Sequence, residues 1–230
     1  MGKINFEDGY ILPIDKPYGW TSADVVRKVK ALVKRYTGKK NIKVGHAGTL
    51  DPLATGLLIV CIGKATKQAD ALQAQEKEYI AEICFGATTP SFDLEKEIDA
   101  HYPYEHITAD GLRQTMNKFI GTIEQIPPIF SAKLIDGKRA YNYARNGEEV
   151  QMRPAIITIN EMELLNYEPP NAEMRISCSK GTYIRSLDRD LGIEAGSGAY
   201  LANLRRTING SKLIKDAMNI EDFIKMINEQ

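Results

Sequence analysis

The sequence predicts a mixed α+β fold, and three kinds of stretch carry that expectation. Leu57 to Ile62 is an unbroken apolar run of strand length that stops at Gly63, the pattern of a strand covered on both faces. Lys77 to Gly86 and Met174 to Ser179 alternate apolar and polar residues, as strands with one covered face do. Val25, Val29, Leu32, Val33 and Tyr36 recur at helical spacing behind Ser22, so a helix from an N-cap at Ser22 to about Tyr36 buries that stripe and turns its lysines outward. With 230 residues, 43% of them hydrophobic, the chain can bury a substantial core, and we expect a single domain over 1–230.

The remaining elements follow from local signals. Tyr10 to Ile14 is a short apolar strand ending in a Lys16-Pro17 turn. Ala65 to Ala74 reads as helix, and Asp93 to Asp99 with His101 to His106 reads as an exposed connection. Ala109 to Ile120 is expected as a helix with Leu112, Met116, Phe119 and Ile120 inward and Gly121 as its stop. Lys138 to Gly147 is a short helix ending at glycine, with tyrosines among basic residues, a mixture that suits an RNA surface and simple amphipathic packing equally well. A strand is expected around Ile156 to Ile159, and a strand-to-helix junction over Ser179 to Leu187 places Tyr183 and Arg185 in a first helical turn with Ile184, Leu187 and Leu191 as the apolar stripe before Gly192. A last helix spans about Glu221 to Asn228.

Composition excludes several classes. Lysine plus arginine and aspartate plus glutamate are 30 each, so bulk charge does not announce a polyanionic partner. Local charge does: from Asp15 to Lys43 there are nine cations against two carboxylates, which suits phosphate contacts as well as a solvated lysine-rich helix face. Cys61, Cys84 and Cys178 are dispersed in apolar strand-like settings, as reduced core residues of a cytoplasmic protein are. The amino terminus has no secretory apolar region, and no run is long enough to span a bilayer. There is no phosphate-binding glycine loop, dinucleotide fingerprint or paired-histidine zinc motif, and three scattered histidines do not make a metal site. We therefore expect no cofactor and no metal.

One stretch dominates the chain: Gly45-His46-Ala47-Gly48-Thr49-Leu50-Asp51-Pro52-Leu53-Ala54-Thr55-Gly56-Leu57-Leu58. Pro52 disfavours helical dihedrals at Asp51, which places that carboxylate in an extended or turn conformation between glycines. On local pattern the commoner arrangement is a plain one, with Asp51 capping a one-turn helix that starts at Pro52. The whole string, however, closely resembles the catalytic motif of the TruB family of pseudouridine synthases. Four further blocks resemble that family: Asp15 to Val26, Gln125 to Lys133, Lys180 to Arg185 and Gly198 to Thr207.

The resemblance implies a pseudouridine synthase fold, with a largely antiparallel central sheet flanked by helices and RNA lying across a central cleft. It implies Asp51 as the essential catalytic group, Arg185 as its cationic partner and Tyr79 against the target base. His46, Tyr183, Leu204 and Lys16 would bind or frame the substrate: His46 fills the space vacated by a flipped base, Leu204 forms an aliphatic wall and Lys16 shapes the rim with Pro17. Phe130 stands where the family usually has tyrosine, so a hydroxyl contact is lost there while ring packing is not. The implied substrate is the T arm of tRNA at uridine 55, and the implied protein is a cytoplasmic monomer with no obligate protein partner and no membrane association. We expect no counterpart in 1–230 of the extra small RNA-binding domain, called PUA, that many members of that family carry. Two rivals stand beside this: a guide-RNA-dependent synthase of the same superfamily, and a non-catalytic tRNA-binding folding chaperone.

Overall fold

The first strand, β1 (Tyr10–Lys16), buries Leu12, Ile14 and Lys16 on one face. The chain, seen in a computed structural model, is described over residues 4–131, 133–135, 137–146, 148 and 150–229. Residues 1–3 of the amino-terminal reading, Ala132 in the block before Lys133 and Gly147 as a helix stop lie outside the described residues.

Helix α1 (Ser22–Thr37) starts one residue before the sequence suggests, because its N-cap is Thr21 and not Ser22. The Thr21 hydroxyl accepts the Asp24 N–H at 3.0 Å and the Asp24 carboxylate accepts the Thr21 N–H at 2.9 Å, a reciprocal cap that satisfies two orphan donors. Ser22 is held elsewhere, by Leu50. Val25, Val29, Leu32 and Val33 are buried as expected, and Tyr36 is half-buried against the edge of Phe6.

Strand β2 (Val44–Ala47) was not foreseen; it leads to a tight turn closed by the Ala54 N–H on the Asp51 carbonyl at 3.1 Å, and then to β3 (Thr55–Ile62), buried from Gly56 onward. Asp51 therefore opens a turn and caps no helix. Gly63 must be glycine: its φ is 61° and a Cβ would lie 2.0 Å from the Phe6 carbonyl. The expected helix after it is a 3-10 stretch (Gly63–Gln68) followed by α2 (Ala69–Ala74).

Strand β4 (Lys77–Phe85) alternates as read, and β5 (Ala87–Thr88) pairs with β6 (Ala100–His101). Helix α3 (Ala109–Asn117), capped by Thr108, ends three residues before Ile120. The chain leaves the helical path at Lys118 and enters β7 (Gly121–Gln125) through Gly121 at φ 107°. Leu112 and Met116 are buried, but Ile120 is exposed, contrary to expectation.

A short hairpin of β8 (Leu134–Ile135) and β9 (Lys138–Arg139) precedes α4 (Ala140–Arg145). Strand β10 (Ala155–Glu168) is far longer than the four residues expected, and it pairs antiparallel with β11 (Asn171–Cys178). Register shifts between Ile159 and Glu161 and between Leu164 and Asn166 break its alternation, which is why periodicity missed it.

Helix α5 (Ile184–Glu194) buries Ile184, Leu187 and Leu191 and runs past Gly192. Gly192 is there for close approach, since a Cβ would lie 2.5 Å from the Ala199 nitrogen at the start of β12 (Ala199–Asn209). Strand β13 (Lys212–Leu213) and α6 (Ile220–Asn228), capped by Asn219, complete the chain. Cys61 and Cys178 are buried and Cys84 half-buried, and among the described residues none of them forms a disulfide.

These elements form two compact units, Met1–Tyr79 with Leu204–Gln230, and Ile80–Asn203. In the first, β3 pairs antiparallel with β1 and with β2 and parallel with β12 through Arg205↔Thr55 and Arg206↔Gly56, with β13 folded back on β12. In the second, the strand order is β12, β4, β11, β10, β7. The fold is thus mixed α/β with a mostly antiparallel sheet flanked by helices. No helix among the described residues is long and apolar enough to cross a membrane.

Asp188 on α5 is fully buried, and neither carboxyl oxygen has a hydrogen-bond partner among the described residues. Burial, reinforced by the nearby Asp190 charge, pushes its carboxyl well above the ordinary range. The folded chain keeps this proton while the unfolded chain releases it near pH 4, so stability falls as pH rises above that point. In urea unfolding, Asp188→Asn should match wild type near pH 4 and exceed it at pH 8; an equal difference at both pH values would contradict the assignment.

Candidate active site

Asp51 sits in a loop whose backbone is engaged at nearly every step. The Ser22 hydroxyl accepts the Leu50 N–H at 2.9 Å and donates to the Leu50 carbonyl at 3.0 Å. The Pro52 carbonyl accepts the Gly19 N–H at 2.9 Å and the Lys16 ammonium at 3.3 Å. Arg206 donates through Nη2 to the Gly48 carbonyl at 3.1 Å and through Nε to the Leu57 carbonyl at 2.7 Å, closing the loop across its base. A carboxylate presented from such a turn is positioned before any ligand arrives.

Lys16, expected at the rim, is fully buried at the end of β1, and its ammonium is given to the carbonyls of Pro17, Trp20 and Pro52. Burial pushes it down to about 8, with Arg206 adding to the shift while Asp51 and Asp24 oppose it. Because the unfolded lysine stays protonated to near pH 10.5, wild type should gain stability relative to Lys16→Met between pH 8 and 10.5, by at most about 1.4 kcal/mol per pH unit. Chemical denaturation across that range measures it, and a flat difference would contradict the shift.

His46 lies on β2, half-buried, and its Nδ1 has no hydrogen-bond partner among the described residues. Burial first, and the Arg206 charge second, hold its pKa below the ordinary value, which favours the neutral ring. Leu204 on β12 is 7% exposed, and its carbonyl accepts the Thr55 hydroxyl at 3.3 Å, four residues after Asp51. Tyr79 is a buried residue near the start of β4. Next to Leu204, Arg205 pairs with Asp15 at 2.7 Å.

In the second unit, Arg185 is the second residue of α5 and only 2% exposed. Its guanidinium donates to the Ser91 carbonyl at 3.1 Å and the Phe130 carbonyl at 2.9 Å, and its Nε lies 3.6 Å from an Asp93 carboxyl oxygen. Asp93 thus departs from the exposed connection to which the sequence assigned it, although Glu95, Glu97 and Asp99 stay exposed. The reason is a local fold-back. The Thr89 and Ser91 hydroxyls donate to the Asp93 carbonyl, the Leu201 N–H donates to the Phe92 carbonyl, and Phe92 adopts a left-handed φ of 62°. Phe130, the residue in the tyrosine position, contributes its carbonyl here, and its ring lies 5.6 Å from the Lys96 ammonium.

Tyr183 is the N-cap of α5, half-buried, with its backbone held in both directions by the Gln125 side chain at 2.9 and 3.1 Å. Lys16, His46, Asp51, Tyr79 and Leu204 accordingly belong to the first unit, and Tyr183 and Arg185 to the second. The supporting roles of Ser22, Arg206, Asp93 and Gln125 escaped the sequence reading. Only long-range contacts reveal them. Among the described residues no group of three or more histidine, cysteine, aspartate or glutamate side chains is placed to hold a metal ion.

Comparison with known proteins gives a consistent picture. The TruB family pseudouridylate synthase (N terminal domain) matches residues 34–184. The chain is 52% identical over 227 residues to tRNA pseudouridine synthase B of Phocaeicola vulgatus, covering 99% of this chain and 97% of that protein. It is 48% identical over 224 residues to the tRNA pseudouridine synthase B of Flavobacterium johnsoniae, covering 97% and 98%. Among solved structures, a chain of a Cbf5–Nop10–Gar1 complex is 28% identical with a TM-score of 0.70. That match covers 96% of this chain and 54% of the other, so this chain spans about half of its solved neighbour.

Proposed function

Because this chain belongs to the TruB family of pseudouridylate synthases, we propose that it isomerises uridine 55 in the T loop of tRNA, alone, as a cytoplasmic monomer. The observation that supports this most is the near-full-length match to relatives named tRNA pseudouridine synthase B, joined to a loop that presents Asp51 from a clamped turn. The two units together serve as one catalytic domain, since those relatives match across both.

In the proposed reaction the bond from N1 of uracil to C1′ of ribose breaks, the base turns, and C5 bonds to C1′. The C5 hydrogen leaves as a proton and N1 gains one, so no atom is added and no co-reactant is required. An ionised Asp51 either stabilises an oxocarbenium-like sugar or adds covalently to sugar or base. Arg185 keeps the role that the family resemblance implies, that of the cation serving the catalytic carboxylate, since a positive charge offsets the cost of placing a carboxylate beneath a base. Tyr79 stacks on the uracil and assists proton transfer, Leu204 supplies an aliphatic wall for the base, and Tyr183 is a further substrate-binding residue. Extruding the nucleotide costs on the order of a few kcal/mol, which His46 helps to offset by occupying the vacated space. Lys16 frames the pocket from beneath, by fixing the Pro52 carbonyl.

The test uses the purified protein and a tRNA transcript labelled with tritium at C5 of uridine. Tritium release without any added RNA or protein supports the proposal. Release only after a guide RNA is added would favour the guide-dependent alternative, and tRNA binding without release would favour the chaperone.

A further inference from the structure

We infer that Ser22 and Arg206 are positioning residues that hold the Asp51 loop in its reactive geometry, and that they act on the chemical step without touching the RNA; this rests on Asp51 being the catalytic acid. Ser22 is 2% exposed at the start of α1. Its one hydroxyl is donor and acceptor to a single residue, Leu50. The Leu50 carbonyl belongs to the peptide that joins Leu50 to Asp51, and the Leu50 nitrogen to the peptide before it. Both planes flanking Leu50 are thereby fixed, and with them the direction in which the chain enters Asp51.

Arg206 does the same for the loop as a whole. It is 1% exposed, and no carboxylate lies within ion-pairing distance of it among the described residues. A buried guanidinium without a counter-charge is expensive compared with an apolar side chain of similar size. What it does instead is reach Gly48 and Leu57, the two ends of the segment that carries Asp51. The fork geometry suits this task, because two N–H groups diverge from one rigid plane. The backbone of Arg206 is also seated directly on the loop's exit, where a Cβ on Gly56, at φ 98°, would lie 2.3 Å from the Arg206 carbonyl.

A loop held at both ends and beside its reactive residue has its ordering completed before substrate binds. Misplacement of a reacting group by about 1 Å costs on the order of 10²-fold in rate, so loosening either hold should appear in the chemical step.

Single-turnover conversion of saturating tRNA transcript by wild type, Ser22→Ala, Ser22→Thr and Arg206→Lys tests this, with tRNA Kd measured in parallel. Ser22→Ala should slow conversion about 10- to 100-fold with Kd unchanged within twofold. Ser22→Thr, which keeps the hydroxyl, should recover most of the rate. Arg206→Lys keeps the charge but loses the fork and should resemble Ser22→Ala; if it does not fold, Ser22→Ala decides alone. A wild-type rate in Ser22→Ala, a Thr variant no faster than the Ala variant, or a loss confined to Kd would overturn the inference. An inactive wild type would instead overturn the proposed function.

Discussion

Asp51→Asn should yield a folded protein that binds tRNA within about threefold of wild type and forms pseudouridine at least about 10³-fold more slowly. The substitution is isosteric. It leaves in place every backbone contact that builds the turn: Ser22 on Leu50, Gly19 and Lys16 on Pro52, and Ala54 on the Asp51 carbonyl. Only the negative charge disappears. An amide can neither stabilise a cationic sugar nor act as an anionic nucleophile. Binding and product formation measured on the same preparation separate the two effects, and retained product formation would remove Asp51 from its role.

The second large effect is expected at Arg185. Arg185→Met leaves Asp93 as a 4% exposed carboxylate without its guanidinium, and strips the Ser91 and Phe130 carbonyls of their donor. Breaking a buried pair from one side costs about 3–5 kcal/mol, which for a chain of this size lowers the melting temperature by roughly 10 °C. Adding Asp93→Asn to Arg185→Met should restore part of that loss, because the stranded charge is gone. Arg185→Lys should keep more stability but lose activity, since one ammonium cannot span two carbonyls and a carboxylate. Thermal melts of the single and double variants measure the coupling, and a melting temperature for Arg185→Met within 2 °C of wild type would show that the buried pair carries little.

Much of the fold was legible where periodicity survives folding. The β3 run, the α1 stripe and the β11 alternation each bury the residues that their spacing picks out. Legibility failed where tertiary contacts overrode local signals. Thr21 and Ser22 are both capable caps, and the choice was made by Leu50, far along the chain. Gly192 resembles a helix stop, yet it exists to let Ala199 approach. Two register shifts conceal β10 from any period-2 search.

The site divides along the same line. Asp51 and Arg185 are visible as candidates because they lie in blocks that resemble a family, and Tyr79 because the same resemblance implies it. Their supports are not, because support is a matter of distance in space. Asp93 sits among acids that remain in solvent, and nothing in composition marks it as the one that folds inward. Arg206 is one letter of the Gly198 to Thr207 block, and nothing local shows that it is buried and bound to carbonyls about 150 residues earlier in the chain.

This chain, unaided, should convert one uridine of tRNA. Position-resolved mass mapping of an unmodified tRNA transcript after incubation with the purified protein addresses it directly. Pseudouridine at position 55 of the T loop and at no other uridine is the expected result. An unmodified transcript, or modification confined to a different position, would contradict it.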